Sequence, residues 1–263
     1  MLMKLVPDST KVGFMRLRLP TFLFSLAALA LSVFLIVTQG LNFGIDFRGG
    51  SVIETSKPAG VEVEDVRGAL SGLDLGEVVI NDAVGTGIEA EPVVVVRIAT
   101  QDVEDGENAE LAQQEATDLV ENTLKEAFAG LEVRSRETVG PKVSGELFRA
   151  GITALSVALL LMMVYIWFRF EWQFSLGAVA ALVHDVILTI GVFAGLQLEF
   201  NLSTIAALLT IIGYSMNDTV VVFDRVREES RKYKKMPMRE LIDLALNGTL
   251  SRTLLTSTTT LLA

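Results

Sequence analysis

The segment IIGYSMNDTVVVFDRVREE, residues 211–229, decides how this chain folds. Its first half is apolar enough to lie in lipid, yet it contains Asn217 and Asp218 side by side, and basic residues follow from Arg225 onward. A carboxylate in the middle of a membrane helix costs on the order of 3 kcal/mol on insertion scales, and such residues usually serve ion or proton pathways. The segment therefore predicts a membrane-spanning helix with a functional acid at Asp218.

The composition fits a membrane protein with an acidic part in water. Of the 263 residues 51% are hydrophobic, yet the formal net charge is -10. Residues 39–146 hold 22 acidic and 8 basic side chains, whereas the rest of the chain holds 10 and 14. Such an acidic segment repels phosphate, so nucleic acid is excluded as a partner. The chain has no cysteine and one histidine, His184, which excludes disulfides, thiolate metal sites and His-rich metal centres.

Four apolar runs are long enough to cross a bilayer, which takes about 20 helical residues. The basic residues before the first run would also fit a signal peptide, but the run exceeds the usual apolar core of about 7–15 residues and VTQGLN lacks a cleavage site. A fifth run begins near Ser251 and reaches only about 20 Å as a helix, so the sequence is expected to stop inside a membrane segment. The predicted division is a cytoplasmic N-terminus at 1–18, membrane helices at 19–39, 147–168, 174–198 and 201–223, an extracytoplasmic domain at 40–146, a basic cytoplasmic loop at 224–250 and the start of a fifth membrane helix at 251–263.

Lysine and arginine residues predict the orientation, because the cytoplasmic flanks of membrane spans are enriched in them. Four precede the first span, and seven lie between Arg225 and Arg239. Both flanks are therefore placed in the cytoplasm, with the acidic segment on the outer side of a bacterial cytoplasmic (inner) membrane. The basic run itself is interpreted as a solvated face that fixes this topology.

The acidic segment predicts a small α+β domain. Its β-branched and alternating stretches indicate strands, and two stretches with helical spacing lie between them. The resulting order, β-α-β-β-α-β, is the split βαβ of ferredoxin-like folds, with both helices expected on one face of a four-stranded sheet. This fold hosts many functions and specifies none. The predicted strands are 51–55, 77–80, 92–99 and 131–139, and the predicted helices are 63–73 and 107–128.

The third span carries polar and small residues near its centre. His184 and Asp185 lie about eleven residues into it, and Gly191 and Gly195 share the helical stripe of His184. Stripes of small residues usually mark faces where another helix packs closely. Two roles stay open for His184, since it could be a packed histidine of the bundle core or a working one.

Two further segments add polar groups to the membrane part. Tyr214 and Asn217 accompany Asp218 in the fourth span, where their hydrogen-bonding groups predict polar contacts with neighbouring helices. Arg252 opens the fifth segment, in which threonines recur at helical spacing. Arg252 either faces a carboxylate within the bundle or extends to the lipid headgroups, as long basic side chains near helix ends do.

The motifs resemble the SecD/SecF family of bacterial protein-export membrane proteins. The segment FGIDFRGG is shared by both halves of that family, whereas the run from Gly213 to Glu229 is specific to the SecF half. The resemblance implies an RND-like half transporter with six spans, of which this sequence lacks the end of the fifth and all of the sixth. The matching segments are FGIDFRGG (43–50), ETVGPKVS (137–144), VHDV (183–186), GYSMNDTVVVFDRVREE (213–229) and LSRTLLTSTTT (250–260).

The resemblance also implies a function, namely an accessory subunit that promotes protein export and is driven by the proton-motive force. Its implied partners are a SecD-like subunit, the Sec translocon channel, unfolded preproteins and membrane lipid. The proton is the coupling ion, and no other cofactor is implied. By motif, Asp218 and Arg252 are implied as the proton relay, with Asp185 as a further candidate.

Coupling of this kind has a physical basis. A buried carboxylate stays charged beside an arginine and tends to bind a proton when the arginine moves away. A helix shift that brings and removes the arginine would therefore make the carboxylate release and bind protons. Each proton that crosses carries about 2.3 kcal/mol per 100 mV of membrane potential. An acid in water, such as Asp224, would exchange protons with the solvent and couple to nothing.

The segment FGIDFRGG is predicted to form the joint between the first span and the outer domain. Glycine tolerates backbone angles that are closed to other residues, and polar side chains can hydrogen-bond across a bend. The residues assigned to this joint are Gly44, Asp46, Arg48, Gly49 and Gly50.

Three other functions share these residues. An RND-type efflux or lipid transporter would use the same proton site but needs a substrate cavity in a much larger outer domain. An intramembrane aspartyl protease would need Asp185 and Asp218 within reach of each other, and the YD and GxGD motifs of such enzymes are missing. The chain is therefore not expected to be an enzyme. A scaffold of the translocon would not depend on the charge of Asp218.

Overall fold

The computed structural model describes residues 10–58, 60–84, 91–101 and 106–262, without the side chains of 106–108, 261 and 262. The chain divides into two compact units. A helical unit is formed from residues 1–42, 155–198 and 204–263, and an α/β unit is formed from residues 43–154 and 199–203. The described elements, in chain order, are a 3-10 turn (Phe14–Arg16), α1 (Arg18–Gln39), β1 (Asn42–Phe43), α2 (Ile45–Arg48), β2 (Gly50–Ser56), α3 (Val63–Leu70), β3 (Val78–Val84), β4 (Pro92–Ile98), α4 (Gly106–Ala127), β5 (Val133–Val139), α5 (Pro141–Arg169), α6 (Trp172–Leu196), β6 (Glu199–Phe200), α7 (Leu202–Lys232) and α8 (Met238–Leu262).

Helices α1, α5, α6 and α7 are long and apolar enough to cross a membrane, judged by length and composition. They coincide in position with the four predicted spans, although α6 ends at Leu196, two residues before the predicted bound, and α7 begins at Leu202, one residue after it. Two of them are longer than predicted, because α5 already begins at Pro141 and α7 continues to Lys232. Proline suits the first turn of a helix, where its missing N–H has no intrahelical acceptor.

Helix α1 packs on α6 along one narrow stripe. The α1 residues that are not exposed recur at spacings of three and four, which is one face of a helix, and the remaining apolar side chains of α1 are exposed. Opposite this stripe, a Cβ atom added to Gly191 would lie 2.3 Å from Ser32 Cβ, and one added to Gly195 would lie 2.9 Å from Leu35 Cδ1. The two backbones approach closely because α6 has glycine at both positions. The stripe consists of Ser25, Ala28, Leu29, Ser32, Leu35 and Ile36.

The segment 224–250 is helical over most of its length, and its prediction as a loop is corrected accordingly. Val226 on α7 packs with Leu241 and Ala245 on α8, which gives the helix ends an apolar face to bury. The charges of α7 also pair along the helix, since Arg225 Nη2 lies 2.7 Å from Glu229 Oε1, a residue four positions on. A run of charged residues that pairs in this way favours helix over loop.

The α/β unit has the predicted ferredoxin-like topology. Its four-stranded sheet has the order β3-β4-β2-β5, and every neighbouring pair is antiparallel. The strands and helices follow each other as β-α-β-β-α-β, which confirms the fold predicted from the alternation of the sequence. All four strands begin and end within two residues of the predicted bounds, except that β3 continues to Val84.

Helices α3 and α4 cover one face of this sheet. In β2 the side chains of Ser51, Ile53 and Thr55 are buried, whereas the residues between them are partly exposed, as a period of two requires. Ile53 lies opposite Val96 of β4, so the two central strands share the core. The buried apolar core consists of Ile53, Val66, Leu70, Leu75, Ile80, Val94, Val96, Ile98, Ala116, Val120, Leu124 and Leu131.

The start of β2 requires glycine. Gly49 and Gly50 have φ angles of 76° and 113°, in the region that L side chains rarely adopt. A Cβ atom on Gly50 would also lie 2.5 Å from the carbonyl oxygen of Ile98, in the neighbouring strand β4. The two strands could not keep their register with a side chain at this position.

We expect Gly50→Ala to destabilise the α/β unit far more than Gly130→Ala. Gly130 also has a positive φ, 86°, but an added Cβ would have no neighbour within 4 Å. Gly130→Ala serves as the control, because it carries only the cost of placing a side chain at a positive φ, about 1–2 kcal/mol. Gly50→Ala adds to this a steric clash of about 1–3 kcal/mol. Hydrogen exchange of the amides in β2 and β4 measures the difference. Equal loss of protection in the two variants would contradict the close approach.

Candidate functional site

Asp218 lies on α7 within the helical unit and is partly buried. Its partner is a hydroxyl on the next helix, since Thr256 Oγ1 lies 3.2 Å from Asp218 Oδ1. The same hydroxyl also lies 3.2 Å from the carbonyl oxygen of Arg252 and 2.9 Å from that of Thr253. It has a single proton to donate, so its bond to Asp218 competes with bonds to its own helix. Asp218 is thus held by a weak and exchangeable donor.

Arg252 lies on α8 one turn before Thr256 and is exposed. Among the residues that the structure describes, no carboxylate oxygen lies within 4.0 Å of its guanidinium nitrogens. Arg252 and Asp218, the two residues implied as a proton relay, therefore form no ion pair in this arrangement. They are placed near each other by their helices, because Thr256 and Arg252 are four residues apart and share a face of α8.

Asp185 and His184 belong to a chain of polar contacts across three helices. His184 Nε2 lies 2.6 Å from Ser25 Oγ on α1, and His184 Nδ1 lies 3.0 Å from Asp185 Oδ1. The other carboxylate oxygen of Asp185 accepts a hydrogen bond of 2.5 Å from Ser215 Oγ on α7. The chain Ser25–His184–Asp185–Ser215 links α1, α6 and α7 through side chains that can all carry or pass a proton.

Tyr214 and Asn217 lie on an exposed face of α7. Within the described part of the chain, neither side chain makes a hydrogen bond. The polar contacts predicted for these two residues are therefore not made among the described residues. They stay a prediction for a partner helix.

Three hydroxyl residues of this site were not assigned from the sequence: Ser25, Ser215 and Thr256. Thr256 belongs to the threonine stripe of the fifth segment, so the sequence identifies the helix face on which it lies but not the residue that it contacts. Ser215 lies three residues before Asp218 and so shares its side of α7. Ser25 lies seven residues before Ser32, and this spacing of small residues within an apolar helix is the signal that could have identified it.

The site contains acids, hydroxyls and one imidazole, which are groups that bind and transfer protons. Among the described residues no group of three or more His, Cys, Asp or Glu side chains could hold a metal ion. The two acids have separate partners. Asp185 accepts a hydrogen bond from Ser215 on α7, and Asp218 accepts one from Thr256 on α8. This arrangement suits proton exchange between helices.

The segment FGIDFRGG has its own set of contacts in the α/β unit. Asp46 does not bridge to Arg48 across the bend; its Oδ2 instead accepts a 2.9 Å hydrogen bond from the backbone N–H of Leu202, the first residue of α7. A carboxylate at this place satisfies a free N–H and complements the positive end of the helix dipole. A Cβ atom on Gly44 would lie 2.5 Å from Glu199 Oε1, so a larger residue there would displace the end of the Glu199 side chain.

Four aromatic rings surround this capping contact. The ring of Phe43 lies 5.9 Å from those of Phe148 and Phe200, and the ring of Phe47 lies 5.7 Å from that of Phe148. Most of these pairs meet edge to face, the geometry that aromatic quadrupoles favour. The segment is thus fixed by aromatic packing and a helix cap, and whether it moves as a joint stays a prediction.

Comparisons with known proteins find relatives that match nearly the whole chain. Residues 119–263 match the model of the family described as protein export membrane protein SecD/SecF, C-terminal, and residues 34–56 match the SecD/SecF GG motif. The chain is 50% identical over 265 residues to protein translocase subunit SecF of Rhodobacter capsulatus, a match that covers 99% of this chain and 79% of that one. It is 42% identical over 262 residues to protein translocase subunit SecDF of Brucella abortus, covering 99% of this chain and 33% of that one.

A solved structure is similar as well. It is that of SecDF from Thermus thermophilus, described as a translocon-associated membrane protein, with 33% sequence identity and a TM-score of 0.80. The match covers 98% of this chain and 34% of that chain. On these matches, and on the membrane helices and ferredoxin-like unit described above, the chain belongs to the SecD/SecF family of protein-export membrane proteins.

Proposed function

We propose that this chain acts as a SecF-type subunit of the Sec protein-export machinery. In this role it uses the proton-motive force, together with a SecD-like partner, to promote the translocation of preproteins across the bacterial cytoplasmic membrane. The observation that carries the proposal is the partly buried Asp218 carboxylate inside a membrane-spanning helix, bonded to Thr256 on the next helix. A carboxylate in that setting is energetically costly, and carboxylates that lie within membrane helices are usually functional.

The proton step follows from the two possible partners of Asp218 on α8. Thr256 faces it in this structure, and Arg252 lies one helical turn, about 5.4 Å, along the same face. A shift of α8 by about one turn would bring the guanidinium to the carboxylate. A guanidinium would favour the charged form of a carboxylate more strongly than a neutral hydroxyl does, so such a shift would couple proton release and uptake to helix movement.

The partners follow from the family. SecDF proteins that match this chain over about a third of their length have room for a SecD-like part beside it. The exposed apolar side chains of α1 and the exposed Tyr214 and Asn217 on α7 are surfaces that lipid or such a partner would cover. The translocon channel and the unfolded preprotein complete the proposed set of partners. The α/β unit is assigned to the outer side, and the N-terminus to the cytoplasm.

A hydrolytic function is not proposed, although Ser25, His184 and Asp185 lie in the order hydroxyl, imidazole and carboxylate found in serine hydrolases. Hydrolysis also needs backbone or side-chain donors aimed at a developing oxyanion. Ser25 and His184 lie in the interiors of α1 and α6, where backbone N–H groups bond within the helix. We therefore propose a non-enzymatic role for the subunit.

The subunit proposal is tested by purification and by export. We expect the chain, solubilised in mild detergent, to copurify with a SecD-like subunit, because half of a two-part transporter should not work alone. In cells depleted of their own SecF, it should also reduce the accumulation of uncleaved preprotein. A chain that purifies alone and instead lowers the cellular content of an apolar dye would favour the efflux alternative.

A further inference from the structure

His184 is the single imidazole of the chain, and both of its ring nitrogens have partners. Nε2 lies 2.6 Å from Ser25 Oγ on α1, and Nδ1 lies 3.0 Å from Asp185 Oδ1 on its own helix. About a quarter of the imidazole surface is exposed, with a side-chain relative exposure of 28%. Any imidazole in a bundle core needs hydrogen-bond partners for its ring nitrogens, but a carboxylate on Nδ1 is a partner that can also stabilise the charged imidazolium.

Among the described residues, Asp185 is the ionisable side chain at hydrogen-bonding distance from His184. Helix α1 carries no charged residue between Leu19 and Gln39. Helix α5 presents the apolar side chains Leu155, Leu159 and Met162 to the core that it shares with α6. On α7, the ionisable residues nearest in sequence to Ser215 are Tyr214 and Asp218.

We propose that His184 is a second proton-binding site of the helical unit, and that Ser25 keeps it bonded in both of its protonation states. In the neutral state, Nδ1–H donates to Asp185 and Nε2 accepts the Ser25 hydroxyl. In the imidazolium state, Nε2–H donates to Ser25 Oγ. The hydroxyl proton then turns to the carbonyl oxygen one turn back on α1, as serine in a helix commonly does. A hydroxyl can both donate and accept, so the link between α1 and α6 persists when the proton arrives or leaves.

The packing of α1 on α6 explains why such a partner is useful. The two helices meet most closely at Gly191 and Ser32, where little room is left for movement. A partner that could only donate or only accept would be left without a hydrogen bond in one of the two states, which costs free energy. Serine avoids this cost and is small enough for the close contact.

The site connects to the acid of the proposed function. Ser215, which donates to Asp185, lies on α7 three residues before Asp218 and on the same side of that helix. A proton held at His184 and Asp185 is therefore separated from Asp218 by about one turn of α7. The inference rests on the proposed function only for the destination of the proton, because the binding site itself follows from the geometry.

The single histidine allows a direct test by solid-state NMR. The chain would be labelled with ¹⁵N-histidine, purified without a polyhistidine tag, placed in lipid vesicles and measured between about pH 5 and pH 8, the range in which histidine changes charge. We expect the neutral imidazole signals, with Nδ1 protonated, to be replaced by imidazolium signals on acidification. A histidine that stays in one protonation state throughout would overturn the proposal.

Three variants separate proton binding from simple packing. Ser25→Ala should shift the Nε2 resonance and leave Nδ1 unchanged, whereas Asp185→Asn should shift the Nδ1 resonance and leave Nε2 unchanged. Thr38→Ala is the control, because its hydroxyl lies on α1 but bonds only to the carbonyl oxygen of Phe34. If Thr38→Ala and Ser25→Ala gave the same spectrum, Ser25 would not be the partner of His184.

The two proposals fail in different ways. A fixed protonation state of His184 would remove this inference and leave the export role of Asp218 untouched. Export that is insensitive to Asp218→Asn would remove the proposed function, while a histidine that gains and loses a proton in the NMR titration would still establish the second site.

Discussion

Gly191→Ala is expected to be among the most destabilising single substitutions in the helical unit. The added Cβ would lie 2.3 Å from both Cβ and Oγ of Ser32 and 2.7 Å from its Cα. No rotation of a side chain relieves a clash with Cα and Cβ, so α1 and α6 must separate along their contact stripe. Overpacking of this kind costs about 1–3 kcal/mol, and loss of the neighbouring contacts would add to that figure.

Gly213→Ala is the matched control for this substitution. Gly213 lies inside α7, and an added Cβ there would have no neighbour within 4 Å. Alanine favours helix over glycine by about 1 kcal/mol, so the control should be neutral or stabilising. The melting temperatures of the two variants in detergent should therefore move in opposite directions relative to wild type. A Gly191→Ala protein that melts like the control would show that α1 and α6 are not in close contact.

The fold could be predicted from the sequence where a local pattern repeats. The alternation of 131–139 and the β-branched content of stretches such as 92–99 identified strands, and length and apolarity identified four membrane helices. The helix ends were predicted less well, because apolarity marks the part that fits lipid and not the point where the helix stops. Helix α7 continues past Phe223 since its charged residues pair four positions apart and its end packs on α8.

The candidate site could be predicted only in part. Asp218 was identified because a carboxylate in an apolar run is conspicuous whatever surrounds it. Its partner was not, since Thr256 and Arg252 lie on the same face of α8 and the sequence gives no basis for choosing between them. Ser25 was missed for a related reason. A serine in an apolar helix is ordinary until the neighbouring helix, with His184 on it, is known.

Asp218→Asn is the substitution with the largest expected effect on function. Asparagine has nearly the same shape as aspartate, and its carbonyl oxygen can still accept the hydrogen bond from Thr256. It cannot bind and release a proton. Insertion, protein level and copurification with a SecD-like partner should therefore stay close to wild type, while the part of export that depends on the proton gradient should fall to background.

Two further variants locate the effect. Asp224→Asn removes a carboxylate six residues along the same helix, one that pairs with Arg169 and is 40% exposed. Exposed ion pairs contribute about 0–1 kcal/mol, so this control should export normally. Arg252→Met should reduce export as strongly as Asp218→Asn if Arg252 becomes the partner of Asp218 during the cycle. It should have a mild effect if Arg252 only extends to the lipid headgroups.

The most direct measurement is preprotein translocation into inverted membrane vesicles with and without an imposed proton gradient. Wild-type chain and Asp218→Asn would be compared at matched protein level and with the same SecD-like partner. The account predicts that the gradient accelerates translocation in wild-type vesicles and has no effect in Asp218→Asn vesicles, while translocation without a gradient is equal in both. Equal acceleration by the gradient in the two preparations would contradict proton coupling through Asp218 and would leave the scaffold as the role of this chain.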